Sequence, residues 1–381
     1  MIGRYGRMDM GLFVATLILL GFGIVLVYSS SFAVAQKDFG GADFFLSRQT
    51  VRALLALVCF MFFINIDYHV WGKYSGIIYI AAICLLVYVL MLPDSHALKG
   101  AKRWITLGSI RFQVSDFARM ALVLTLSKKC SEENGDPKTF KALLPHLARI
   151  GIICGLIVLE PDFSTSSIIA LAAVTILFVA GAKLHHLLGL GSLLIPVAIG
   201  LVLKTPYRLA RIMGYLNMAE KKDSIGYQVF QSLIGFGNGG LFGTGLGRGE
   251  QKYFYLPEPY TDFILSVLGE EFGFIGIMLV FGLFSFVVYR GIRIALSAPD
   301  KMGQFMAFGF TFIIAIYALV HSGVATGLVP PTGIPMPFLS YGGMSLIFTM
   351  CSMGILLNIS SQTRNGMATE VPGRKIRSSR V

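Results

Sequence analysis

Residues 11–32 read GLFVATLILLGFGIVLVYSSSF, a stretch with no charged side chain. A helix crosses the hydrocarbon of a bilayer with about 20 apolar residues, so this stretch predicts a membrane span. Nine more segments of the same kind follow, at 50–66, 74–92, 114–130, 143–159, 163–182, 186–203, 262–289, 303–328 and 338–360. Arg119 falls inside the fourth segment and Arg149 inside the fifth. A guanidinium is too costly to face lipid, so both are expected to face protein or water. Ala33-Val34-Ala35 imitates a small-residue cleavage site, but the apolar core before it is longer than the roughly 7–15 residues of a signal peptide. A retained anchor is expected. The predicted fold class is therefore an all-α polytopic membrane protein of about ten transmembrane helices, with a long outer loop (about 204–261) between helices 7 and 8. The membrane part covers 1–361, and residues 362–381, which lack an apolar face, are expected to form a disordered basic tail.

Composition agrees with that reading. Of 381 residues, 55% are apolar and only 14% charged. Soluble domains carry about 25% charged residues, so an ordinary soluble globule is excluded. The net charge of +12 comes with no stretch resembling a nucleic-acid module. Membrane lipids and anionic, lipid-linked ligands are the expected partners, and nucleic acid is not. Five cysteines lie in or at the ends of apolar segments without CxxC spacing and read as small core residues.

Lys and Arg in the flanks set the expected orientation. Arg4, Arg7, Arg364, Arg374, Lys375, Arg377 and Arg380 sit at the ends, and the loops at 128–142 and 290–301 are basic too. Both termini are expected in the cytoplasm. Two segments oppose this bias: 93–113 carries Lys99, Lys102, Arg103 and Arg111, and 204–261 carries Lys204, Arg208, Arg211, Lys221, Lys222, Arg248 and Lys252. Such charge can be solvated, can meet anionic headgroups, or can form a site for a phosphate-bearing substrate on the outer face.

Three outer segments carry chemistry. The first is 235–262, GFGNGGLFGTGLGRGEQKYFYLPEPYTD. Irregular backbone is tolerated at membrane depth only inside protein or water, and the glycines permit tight turns and close approach. Two prolines stiffen its end, and Thr261-Asp262 opens an apolar helix as its cap or as a carboxylate suited to general-base work. Glu270 and Glu271 follow two turns deeper and need a polar cavity or a basic partner, with Arg119 and Arg149 as candidates. The second segment is 100–119, GAKRWITLGSIRFQVSDFAR, where Trp104 suits headgroup depth and Asp116 and Arg119 share a helix face. Glu160-Pro161-Asp162 lies at the same boundary, as caps or as part of a cavity rim. The third is 327–343, GLVPPTGIPMPFLSYGG, in which four prolines forbid a regular helix. Ser340 and Tyr341 could meet a substrate or satisfy broken backbone. No metal-ligand spacing, P-loop or Rossmann fingerprint appears.

The strings GAKRWITLG…FQVSDFAR, EPDFST, GYQVFQSLIGFGNGGLFGTGLG, QKYFYLPEPYTDFILSVLGEEFGFIG and TGIPMPFLSYGG resemble the SEDS family (shape, elongation, division and sporulation) from about residue 10 to 360. YRLAR at 207–211, GEEFG at 269–273 and ILLNIS at 355–360 look more like its division branch than its elongation branch. The resemblance implies a ten-helix fold and a peptidoglycan glycosyltransferase of the inner membrane. Its substrates would be lipid II and a lipid-linked glycan strand, with the site facing outward and the protein placed at the division septum. Asp262 matches the essential acid of the TDF motif. Lys102, Arg103, Trp104, Gln113, Ser115, Asp116, Arg119, Lys252, Glu258, Ser340 and Tyr341 become the candidate substrate-binding residues. A divalent cation could bridge the pyrophosphate, though no residue pattern demands one. The family works with a class B penicillin-binding protein, a transpeptidase, and with other division proteins. The sequence departs from the family where QPSE is Gln113-Val114-Ser115-Asp116, where the following Lys is Arg119, and where QPD is Glu160-Pro161-Asp162. Tyr260 replaces a His and His321 an Asn. An elongation-type polymerase, a lipid II flippase and a silent division scaffold are the competing readings; a flippase would need charge lining a path through the whole bilayer, and here the charge concentrates outside.

Overall fold

A computed structural model describes residues 8–93, 103–107, 110–133, 135–216 and 225–363. The helices are α1 (Met10–Phe39), α2 (Phe44–Asn65), α3 (Tyr68–Met91), α4 (Val114–Ser131), α5 (Phe140–Leu159), α6 (Phe163–Val179), α7 (Leu184–Leu203), α8 (Pro206–Leu216), α9 (Ile225–Gly239), α10 (Ile264–Ser297), α11 (Lys301–Ala325) and α12 (Gly343–Ser361). Ten of them fall on the ten apolar segments. α1, α2, α3, α5, α10, α11 and α12 are long and apolar enough to cross a membrane, and α6 is apolar but shorter at 17 residues. α4 carries Asp116 and Arg119 inside the bundle, where both are buried, and Lys128 and Lys129 in its last turn. Arg149 donates to the Pro145 carbonyl on its own helix. The expected long outer loop is partly helical, since α8 and α9 fall within it. A short antiparallel hairpin, β1 (Trp104–Leu107) with β2 (Ile110–Gln113), adds the strands that an all-helical reading omits.

One face of the bundle is tied by caps. Asp9 caps α1 by accepting from the Leu12 N–H, pairs with Arg290 of α10 and donates its own N–H to Ser360 of α12. Asp67 caps α3 and Asp300 caps α11, and the His69 imidazole bridges the two carboxylates at 2.7 and 2.8 Å. Gln362 and Thr363, the first residues of the expected tail, are buried instead, and Gln362 donates to Asn358. The remainder of that tail lies outside the described residues.

At the opposite face the glycines acquire their reason. α10 is broken at Gly273, which adopts φ +66°. The chain after α9 fills the break. Thr244 and Gly245 donate N–H bonds to the carbonyls of Glu270 and Glu271, and Phe274 and Ile275 donate back to Gly240 and Leu241. A Cβ on Gly243 would collide with the Glu271 carbonyl, and one on Gly273 with the backbone of Leu241 and Gly243. Backbone therefore packs on backbone, which satisfies the groups that the broken helix frees.

Glu270 and Glu271 pair with this loop rather than with Arg119 or Arg149. Glu270 accepts from the backbone N–H groups of Glu250 and Gln251. Glu271 meets the Lys252 ammonium at 2.6 Å and accepts from the Ser29 hydroxyl of α1 at 2.7 Å. Lys252 is 1% exposed. Removing one member of such a pair leaves a buried charge, at a cost of about 3–5 kcal/mol, whereas removing both charges together costs far less. Lys252→Met and Glu271→Leu should each lower the thermal midpoint of the detergent-solubilised protein strongly, and the double variant should recover most of the loss.

Candidate functional site

Asp262 lies in a turn, not at a helix cap. α10 starts at Ile264 with Phe263 as its N-cap, and no side chain caps it. The turn is built by Glu258, at φ +49°, whose backbone carbonyl accepts from both the N–H and the hydroxyl of Thr261. Glu258 thus shapes the approach to Asp262. The proline segment then closes against it from the other side. Ser340 donates to the Thr261 carbonyl at 2.7 Å and accepts from the Met336 N–H, and the Tyr341 N–H donates to the Tyr260 carbonyl. Gly333 adopts φ +72°, and a Cβ built on it would lie 3.7 Å from an Asp262 carboxylate oxygen. His321 of α11 donates its Nδ1–H to the Ile334 carbonyl at 2.9 Å. Ser340 is 4% exposed and engaged twice, so its hydroxyl holds the two loops together.

Rings surround this turn. Phe45 of α2 contacts both Tyr260 and Tyr341, at 4.5 and 5.1 Å between centroids, and the two tyrosines contact each other. The Arg52 guanidinium lies 4.6 Å over the Tyr341 ring. Burial, with the negative charges of Glu258 and Asp262 nearby, pushes the Tyr260 phenol up to about 12, so it stays neutral. The Asp262 carboxylate is half-buried.

A second polar cluster gathers beside the hairpin. Arg103 donates to the Glu160 carbonyl at 3.1 Å and to the Pro161 carbonyl at 2.5 Å, and its guanidinium is 3.8 Å from Asp162. Asp162 caps α6 through the Thr165 N–H, and Gln113 reaches it at 3.5 Å. Arg119 stands 3.4 Å from Asp116 and over the Tyr317 ring of α11. Ser115, one turn before Arg119, is buried with its hydroxyl unpartnered. Trp104 opens β1 opposite Gln113. Phe112 of the hairpin packs on Phe348 of α12, which joins this cluster to the helix that follows Tyr341.

Of the expected substrate-binding residues, Lys252 is absent from both clusters. Its ammonium is buried on Glu271, and a charge already neutralised and enclosed cannot reach a diphosphate at the surface. Lys102 lies outside the described residues. Sequence reading missed Tyr317 and Arg52, which sit mid-helix in apolar surroundings where no local pattern marks them. It also gave Gly333 no role, although the positive φ demanded there is a glycine signature.

These observations define a polytopic helical membrane protein whose polar machinery is concentrated at one face. The chain belongs to the cell cycle protein family of FtsW, RodA and SpoVE, whose model matches residues 10–365. It is 39% identical to a probable peptidoglycan glycosyltransferase FtsW of Geobacter sp. (strain M18), covering 93% of this chain and 97% of the relative. It is 41% identical to stage V sporulation protein E of Bacillus subtilis (strain 168), covering 93% and 98%. Among solved structures, the rod shape determining protein RodA of Thermus thermophilus aligns at TM-score 0.69 with 25% identity, over 94% of this chain and 98% of that one. A chain from work on structural coordination of polymerization and crosslinking by a peptidoglycan synthase complex aligns at 0.76 with 26% identity, over 93% and 98%.

Glu160 generates a pH prediction. It is 1% exposed at the end of α5, and both carboxyl oxygens are buried without a hydrogen bond. Burial, reinforced by Asp162 and only partly offset by Arg103, pushes its carboxyl up to about 8. The folded protein therefore keeps this proton where the unfolded chain, with an ordinary carboxyl near 4.5, releases it. The contribution of Glu160 to stability therefore falls as pH rises from about 4.5 to about 8 and changes no further above that. Glu160→Gln should raise the thermal midpoint at pH 8 and flatten its dependence between pH 5 and pH 8; an unchanged slope would contradict this environment.

Proposed function

We propose that this chain is a peptidoglycan glycosyltransferase that polymerises lipid II into glycan strands, with Asp262 as general base. The observation that carries the reading is the placement of Asp262. Two irregular segments, cross-linked by the Ser340 and Tyr341 bonds, hold its carboxylate half-buried on a turn rather than committing it to capping a helix. The similarity to relatives named as probable peptidoglycan glycosyltransferases supports it.

In this reading Asp262 accepts the proton of the acceptor sugar's 4-hydroxyl as that oxygen attacks the anomeric carbon of the lipid-linked strand. The new O4–C1 bond forms as the bond from C1 to the diphosphate oxygen breaks, with inversion, and the diphosphate departs with the electron pair. That leaving group needs its charge stabilised more than it needs a proton. Arg103, Gln113, Ser115, Asp116 and Arg119 form the rim that orients the sugar, and Tyr341 lines the Asp262 turn. A divalent cation, if bound, would neutralise charge on the diphosphate, whose own oxygens would supply much of its coordination, since among the described residues no three His, Cys, Asp or Glu side chains stand together. No step above passes through one.

Both termini are placed in the cytoplasm and the Asp262 face outside, as the basic ends require. The Asp9 end of α1 and the Gln362 end of α12 share one face, which supports this. The partner is a class B penicillin-binding protein, a transpeptidase that cross-links the strand, and the work site is the division septum. The neighbouring peptidoglycan synthase complex and the FtsW relatives support both assignments. With lipid II supplied to the purified protein and its partner, Asp262→Asn should cut polymerisation at least about 100-fold without moving the thermal midpoint. Full activity in that variant would remove the mechanism.

A further inference from the structure

α2 turns one strip of side chains toward the start of α12. Phe45 meets the Tyr341 ring from one turn, and Arg52, two turns on, lies over the same ring. The Arg52 guanidinium also rests beside Gly343, the first residue of α12. Gln49 lies between them, four residues after Phe45 and three before Arg52, and so projects from the same face toward the same surface. Gln49 is 0% exposed, yet neither polar atom of its amide has a hydrogen-bond partner among the described residues. A buried amide left so is unfavourable unless something else completes its bonds.

α12 begins at Gly343, and its N-cap, Gly342, offers no side chain to cap it. Its first N–H groups have no intrahelical acceptors and carry the positive end of the helix dipole. A guanidinium is the wrong neighbour for such an end, and among the described residues no carboxylate pairs with Arg52. The described cations first expected to receive a diphosphate are engaged elsewhere: Arg103 on two carbonyls, Arg119 on Asp116 and Tyr317, Lys252 on Glu271. Residues 341–345 are half-exposed, so the start of α12 can be reached. It is also fastened to the catalytic turn, through the Tyr341 N–H on the Tyr260 carbonyl and Ser340 on Thr261.

Uncapped helix N–H groups, a guanidinium with no counter-ion among the described residues and an unsatisfied buried amide gather at the start of α12. Together they match a ligand with several anionic oxygens. We propose that Arg52, Gln49 and the N-terminus of α12 form a subsite for the diphosphate of a lipid carrier. This rests on the glycosyl-transfer reading, which brings a diphosphate to the Asp262 turn. Arg52 takes the non-bridging oxygens, the α12 N–H groups take the second phosphate, and the Gln49 amide donates to the same group.

The test uses the full-length protein in phosphatidylcholine nanodiscs, with undecaprenyl diphosphate and uncharged undecaprenol as probes and native mass spectrometry as the readout. Arg52→Gln should weaken diphosphate binding about tenfold or more and leave undecaprenol binding unchanged. Gln49→Glu, close in shape and able to pair with Arg52, should weaken it likewise while keeping or raising the thermal midpoint. Asp262→Asn should bind the diphosphate as the unaltered protein does. That separates the two claims, since intact binding with no polymerisation by the unaltered protein would discard the reaction and retain the subsite. Diphosphate affinity within about twofold of the unaltered protein in the folded Gln49→Glu and Arg52→Gln variants would overturn the proposal. So would equal displacement of the probe by phosphatidylglycerol, which would make the start of α12 a general headgroup site.

Discussion

A polypeptide inside a bilayer has no water with which to satisfy a broken helix. Every departure from regular helix must therefore be met by other protein groups. In this chain the departures are concentrated at one face, and they satisfy one another. The break at Gly273 receives the backbone of 240–245, and the proline segment before α12 receives the turn before α10. Glycine is needed where two backbones meet, at Gly243 and Gly273, because a side chain would hold them apart. The buried Lys252–Glu271 pair and the Ser29 hydroxyl then fasten the loop to α10 and α1.

The consequence is a rigid frame around Asp262. A carboxylate on a free loop would have to be ordered anew at each turnover. Here its turn is fixed by Thr261, Ser340 and Tyr341 before any ligand arrives, which is the preorganisation that electrostatic catalysis depends on. The same bonds tie the segment that leads into α12 to the turn that carries Asp262. The hairpin cluster adds a second set of charges, joined to the first by the packing of Phe112 on Phe348. Opposed charges are arranged as neutralised pairs in the bundle, while the start of α12 is half-exposed with the Arg52 guanidinium beside it.

Ten helices were legible because apolar runs of bilayer length have few other physical meanings. Even α4, whose Arg119 and Asp116 lower its hydropathy, could be read through the requirement that its charges face inward. The glycine run was legible as a demand for close approach, but not its target, since nothing local says that Gly243 meets the carbonyl of Glu271. Lys252 misled for a related reason. A lysine in an outer loop looks available, and only the fold shows the glutamate nineteen residues on that buries it. α8 and α9 were hidden within a segment read as loop, because its glycines and charges outweighed its short apolar stripes. Asp262 was legible through its motif, while Arg52 and Gln49 acquire meaning only when α2 lies against Tyr341.

The central claim is that Asp262 lies at an outward-facing mouth that a lipid-linked substrate enters. Thiol accessibility tests it directly. In a variant whose five native cysteines are replaced by alanine, Asp262→Cys is treated in intact cells with a membrane-impermeant maleimide, with and without added lipid II in matching proteoliposomes. The account predicts labelling from the outer side and protection by lipid II. Labelling only after the cytoplasmic side is opened, or labelling that lipid II leaves untouched, would contradict it.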